Sequence, residues 1–155
     1  MNSSRRWLGI FAAVIGILAI VAVLLVLVTN GRKVTLLDEN TPQGTVQRYL
    51  IELKDTNYPK AYAYLLFSPS DKISTYNDWL TSNVSPYSYN QTTWKATLGK
   101  VTQDGNNATV DVMVDTFRPG GIFSNSQYSQ QIVFILTKTG NSWFITSPTY
   151  LYWMF

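Results

Sequence analysis

Neither cysteine nor histidine occurs anywhere in the 155 residues. Without cysteine the chain can form no disulfide, offers no thiolate to a metal and has no attachment point for a lipoprotein lipid. Without histidine it also lacks the usual protein ligand of zinc, copper and haem iron, so we expect no metal and no cofactor to be held by this chain. Charge is scarce too, at 14% of residues. The net charge is +3, but Arg5 and Arg6 precede the main hydrophobic run and leave ten Lys/Arg against nine Asp/Glu in residues 31–155. A nucleic-acid partner is therefore not expected, because no Lys/Arg cluster is present to neutralise phosphates. Cysteine usage leaves the compartment open, since zero suits either side of a membrane.

Apolar sequence, in contrast, is abundant. Trp7 to Val28 is a run of 22 residues without a charge, long enough as a helix to cross a hydrocarbon core about 30 Å thick. A buried core helix rarely lacks a polar face over that length. A cleaved signal peptide has a shorter apolar stretch followed by small residues, whereas Leu27-Val28-Thr29-Asn30 offers no such cleavage pattern. The expectation is a retained single-pass anchor in the cell membrane. Arg5 and Arg6 before the run, against Arg32 and Lys33 followed by Asp38 and Glu39 after it, favour a cytoplasmic N-terminus and an extracytoplasmic C-terminal domain. Gly9, Ala12, Gly16 and Ala19 form a small-residue stripe suited to packing on another transmembrane helix, although Gly and Ala are also common in membrane helices for no such reason. The boundaries read as a cytoplasmic end at 1–6, an anchor at 7–28, a linker at 29–40 and one domain at 41–155.

Within that domain Thr41-Pro42 is an N-cap followed by proline at the first helical position. Val46, Tyr49, Leu50 and Leu53 then recur at helical spacing as far as Asp55-Thr56-Asn57. A second helix is predicted over Pro59 to Leu66 with Ala61, Tyr62 and Leu65 inward, and a third over Thr75 to Ser82, capped by Ser74 and carrying Tyr76, Trp79 and Leu80. From Thr92 the period changes to two. Trp94, Ala96 and Leu98 alternate with polar residues, as do Ala108, Val110, Val112 and Val114 after the turn Asp104-Gly105-Asn106-Asn107, which predicts a hairpin. A third strand is predicted over Ser129 to Thr137 and a fourth from Ser142, after the turn Lys138-Thr139-Gly140-Asn141. The layout is α+β, with three helices covering one face of a four-stranded antiparallel meander.

Three stretches, Thr41-Pro42-x-Gly44-x-Val46-x-Arg48-Tyr49-Leu50, Asn57-Tyr58-x-Lys60-Ala61-Tyr62 and Gly140-Asn141-Ser142-Trp143-Phe144-Ile145, together resemble the nuclear transport factor 2-like superfamily. The likeness is strongest to its bacterial members tethered by one N-terminal membrane helix. It covers about residues 41–148 and implies a curved sheet wrapped round the long helix into a cone, often with a ligand pocket at the open end. These residues mark helix faces and a strand-end tryptophan, so the resemblance speaks to fold more than to activity.

Enzymes of that superfamily use an Asp and a His, or paired acids, inside the cone; here there is no His to contribute. Asp111 and Asp115 alternate with the valine face of their strand and are expected to face solvent, and Asp78 is expected on a helix surface. No nucleophile triad, phosphate loop or carboxylate pair can be assembled, so no catalytic residue is assigned. Asn83, Asn90 and Asn107 begin matches to the glycosylation acceptor pattern, which chance supplies freely in a chain so rich in Asn, Ser and Thr.

Two apolar segments exceed what the fold needs. One is the connection from Phe117 to Phe123, with Phe117, Ile122 and Phe123; the other is the end of the chain, with Tyr150, Leu151, Tyr152, Trp153, Met154 and Phe155. Such a tail needs a surface to cover it, whether the domain's own cone mouth, a bilayer interface or a protein partner. Phe117, Ile122, Phe123, Tyr150, Tyr152, Trp153 and Phe155 are accordingly candidate contacts. The expectation is a non-catalytic accessory subunit of a larger membrane complex, such as a bacterial respiratory or photosynthetic one, in which other subunits carry the redox centres. The alternative is a tethered module binding a small apolar ligand in the cone against Tyr49, Tyr62 and Trp79.

Overall fold

The computed structural model describes residues 14–24, 35–69, 71, 73, 75–83, 93–118 and 126–151. The chain divides into two compact units, Met1–Thr35 and Leu36–Phe155. In the first, residues 14–24 form helix α1, which lies inside the predicted anchor. Its side chains are apolar and open on all sides: Ile15, Ile17, Leu18 and Ile20 are 61–65% exposed. Among the described residues no helix is long and apolar enough to cross a membrane. The remainder of the run from Trp7 to Val28 lies outside them.

The second unit is α+β. Helix α2 spans Pro42–Lys54 and starts as its sequence demands, with the Thr41 hydroxyl accepting the Gly44 N–H at 3.1 Å and Pro42 in the first turn. Its apolar stripe, Val46, Tyr49, Leu50 and Leu53, is buried. It ends at Asp55, and Thr56 then takes a φ of +56°, a left-handed conformation costly for a β-branched residue.

Helix α3, Tyr58–Tyr62, is shorter than the Pro59–Leu66 prediction. A distant strand competes for the chain: the Ile145 N–H donates to the Tyr64 carbonyl and the Leu66 N–H donates to the Ile145 carbonyl, both at 2.8 Å, so the chain leaves its last turn at Tyr64 and bridges β4 at Leu65. Leu65 is still buried, but from this bridge and not from a helix. Helix α4 covers Tyr76–Asn83. Its cap is Thr75, one residue after the predicted Ser74, which lies outside the described residues. The Thr75 hydroxyl accepts the Asp78 N–H at 3.2 Å and donates to the Asp78 carboxylate at 2.7 Å, a reciprocal capping arrangement.

Strands β1 (Thr93–Asp104), β2 (Asn107–Arg118), β3 (Ser126–Thr139) and β4 (Ser142–Ser147) form an antiparallel meander in the order β1-β2-β3-β4. Gly105 and Gly140, at φ +56° and +61°, supply the left-handed residues of the two tight turns. The inner face carries Val110, Val112 and Val114 of β2, Ile132, Phe134 and Leu136 of β3, and Trp143 and Ile145 of β4. Helix α2 packs against β1, β2 and β4. One extra residue at Gly99-Lys100 makes a bulge in β1 opposite β2, where a side chain on Gly99 would crowd the Asp111 carbonyl. Segment 64–66 covers part of the β4 edge, whereas β1 ends the sheet on the other side.

Candidate functional site

Four rings gather where α3, the turn after it and α4 meet. Tyr62 stacks on Phe67 with ring centres 5.4 Å apart, meets Tyr76 edge-on at 5.5 Å and touches Trp79 at 5.6 Å. Tyr76 lies 6.3 Å from Trp79. Spacing alone could place Tyr76 and Trp79 on one helix face; Phe67 joins them only because α3 ends early. Trp79 is fully buried, and its indole N–H donates to the Thr149 carbonyl at 2.8 Å, which satisfies the one polar group the ring carries.

Asn83, one turn on, completes a clamp. Its amide N–H donates to the Trp79 carbonyl at 2.8 Å, and its amide oxygen accepts the Leu151 N–H at 2.7 Å. Leu151 is 1% exposed and belongs to the core cluster, so this member of the apolar tail is covered by the domain itself. Tyr150, immediately before it, is 48% exposed. Tyr152, Trp153 and Phe155 lie outside the described residues, as do Ile122 and Phe123. The side chain of Asn83, which opens an acceptor motif for glycosylation, is buried and already engaged on both sides. No sequence pattern marks that role, because its partner is 68 positions away.

The sequence pattern puts Phe117 in a connecting loop. It is instead a residue of β2, paired with Thr93 and Gln127 and 39% exposed on the outer sheet face. Met113, Val133 and Ile135 are exposed on that face as well, with Asp111 and Asp115 among them. Asp115 accepts the Ser129 hydroxyl at 2.5 Å across the pair of strands. Both carboxylates thus lie on the side away from the valines, as alternation requires. Among the described residues no group of three acidic side chains could hold a metal ion.

Of the three residues predicted to line a pocket, Tyr62 and Trp79 come together, whereas Tyr49 meets a different ring, edge-on to Phe134 at 6.0 Å. Tyr49 is fully buried, and its hydroxyl has no hydrogen-bond partner among the described residues. Burial holds this phenol protonated far above the ordinary tyrosine range. In α1 the predicted stripe residues Gly16 and Ala19 are exposed, and nothing crowds Gly16. Gly9 and Ala12 lie outside the described residues.

A separate cluster ties the linker to α2. The Leu37 N–H donates to the Gln47 side-chain oxygen at 2.8 Å, and the Leu37 carbonyl accepts from the Arg48 guanidinium at 3.0 Å. The Asp38 carbonyl accepts both the N–H and the hydroxyl of Thr41, at 3.2 and 2.6 Å. A side chain on Gly44 would collide with that same carbonyl. The residues from Leu36 to Asn40, read from sequence as a plain tether, are thus fastened to the first turns of α2. No family model matches this chain, and no curated protein matches it either.

Proposed function

We infer that the chain is a non-catalytic, single-pass accessory subunit of a larger membrane complex. Residues 7–28 form its transmembrane helix, the N-terminus is cytoplasmic, and a cone-shaped nuclear transport factor 2-like domain stands outside the cytoplasm. The observation that carries this reading is α1: an uninterrupted apolar helix whose isoleucines and leucines are open on every side needs lipid or another helix around it. The stripe including Gly16 and Ala19 would take the neighbouring helix, and Phe117, Tyr150 and the apolar residues near them would take a subunit above the membrane. Absence of histidine from the sequence supports a non-catalytic role, since no acid–base pair of the expected kind can be built. In a respiratory or photosynthetic assembly the redox centres would belong to other subunits.

Extraction of native membranes in mild detergent, followed by size separation and identification of what travels with the chain, tests this reading. Co-migration with defined membrane subunits is expected. Recovery only as a free monomer, or release into the aqueous phase without detergent, refutes it.

One observation favours a second reading, a tethered module that binds a small, mainly apolar ligand. The Tyr49 hydroxyl is buried with no partner among the described residues, and a ligand bearing one polar atom would satisfy it. Native mass spectrometry of the purified chain distinguishes the two, since a retained ligand adds a discrete mass that Tyr49→Phe weakens.

A further inference from the structure

Leu36 and Leu37 are 54% and 40% exposed, two large apolar side chains side by side at the start of the folded unit. An exposed linker ordinarily leaves its backbone polar groups to water. Here Leu37 has both of its own satisfied within the protein, the N–H by Gln47 and the carbonyl by Arg48. The neighbouring groups are treated alike: the Asp38 carbonyl serves Thr41, the Asn40 N–H donates to the Asp38 carboxylate at 2.9 Å, and the Glu39 carbonyl accepts the Thr45 hydroxyl at 3.4 Å. Backbone with internal partners can leave water at little cost, which is the condition for resting against an apolar phase.

Chain length supplies the second argument. If the membrane-spanning run ends at Val28, only residues 29–34 separate it from Thr35. Even fully extended, six residues reach about 20 Å, less than the thickness of a small domain.

We propose that Leu36 and Leu37 form a docking point for the lipid surface, inserting into the outer interface of the bilayer. Gln47 and Arg48 are positioning residues that hold the leucine backbone in a form able to leave water. The proposal rests on the reading of residues 7–28 as a transmembrane helix, and its test separates the two.

The chain has no cysteine, so single-cysteine variants can be labelled at one site without further substitution. Leu36→Cys, Leu37→Cys, Ile17→Cys and Gln103→Cys are each labelled with an environment-sensitive fluorophore, and the full chain is reconstituted in phosphatidylcholine vesicles containing nitroxide-labelled lipids. Gln103, exposed near the first hairpin, is the aqueous reference. Quenching at 36 or 37 by shallow nitroxides, at least twofold above that at 103, with quenching at 17 by deep nitroxides, is the expected result. Quenching at 17 with positions 36 and 37 indistinguishable from 103 overturns the proposal and leaves the anchor intact. No quenching at 17 overturns both. Shielding of 36 and 37 that arises in native membranes but not in pure lipid assigns the leucines to a protein partner and also overturns the proposal.

Discussion

The indole N–H of Trp79 and the carbonyl of Thr149 meet at 2.8 Å, joining α4 to the chain beyond β4 across 70 positions of sequence. Because the ring is fully buried, Trp79→Phe removes both a donor and part of a close-packed volume, and leaves the Thr149 carbonyl short of a partner. A loss of about 2–4 kcal/mol is expected, visible as a fall in Tm of roughly 10 °C. Retention of the wild-type Tm would show that the contact contributes little.

Asn83→Leu keeps most of the volume but strands the Leu151 N–H, at a cost of about 1–3 kcal/mol. Asn83→Asp retains an acceptor for Leu151 but buries a carboxylate whose second oxygen faces the Trp79 carbonyl, so at neutral pH it should also destabilise, by about 2 kcal/mol or more. Hydrogen exchange at the Leu151 amide is the direct readout: strong protection in the wild type, loss of it in the leucine variant and partial protection in the aspartate variant.

Tyr49→Phe deletes a hydroxyl with no partner among the described residues and should raise stability at neutral pH by about 1 kcal/mol. A loss instead would reveal that the hydroxyl is satisfied by a ligand or an internal water. The alkaline limb gives a second check. Burial raises the folded-state pKa of this phenol, whereas in the unfolded chain it ionises near pH 10. The unfolded state therefore loses its proton first, and stability is constant below about pH 10 and falls above it by about 1.4 kcal/mol per pH unit from this group. Chemical denaturation of wild type and Tyr49→Phe between pH 8 and 11 should show the difference between them shrinking below pH 10 to a constant and growing above it.

Gly44→Ala forces a methyl group into the Asp38 carbonyl and should cost about 1–3 kcal/mol. Thr41→Ala, which removes the helix cap without a clash, should cost about 1 kcal/mol. Limited proteolysis checks the local consequence: cleavage within residues 35–41 should accelerate in both variants before the core is attacked.

Thr56→Gly should stabilise the domain by about 0.5–1 kcal/mol, since a left-handed φ strains threonine and suits glycine. Thermal melts of the two proteins decide the sign.

The sequence made much of this fold legible wherever a few neighbouring residues decide the outcome. Thr41-Pro42 places the start of α2, its apolar spacing selects the buried face, and the alternation of Val110, Val112 and Val114 fixes which side of β2 is inward. Long-range competition was hidden. Helix α3 stops at Tyr62 because Ile145, over 80 positions away in the chain, captures the backbone at 64–66. Phe117 looked like part of a loop because its pairing partners, Thr93 and Gln127, lie on two other strands. Asn83 and the pair Gln47 and Arg48 are polar residues on helices, a kind usually assigned to solvent. Their work is done on backbone groups distant in sequence, which no periodicity records.

The fastening of Leu36 to Asn40 onto α2 also gives the chain a mechanical fuse. A pull from the N-terminal side loads the bonds at Leu37 and Asp38 one after another, as a zipper is opened, while the strands of the sheet stay unloaded until the segment has peeled. Release of residues 35–41 lengthens the tether by about 20 Å. In an optical trap this would register as a small, reversible step at low force, ahead of the single large extension that marks loss of the core. A pull applied ahead of Thr35 would then stretch the fastening and spare the fold.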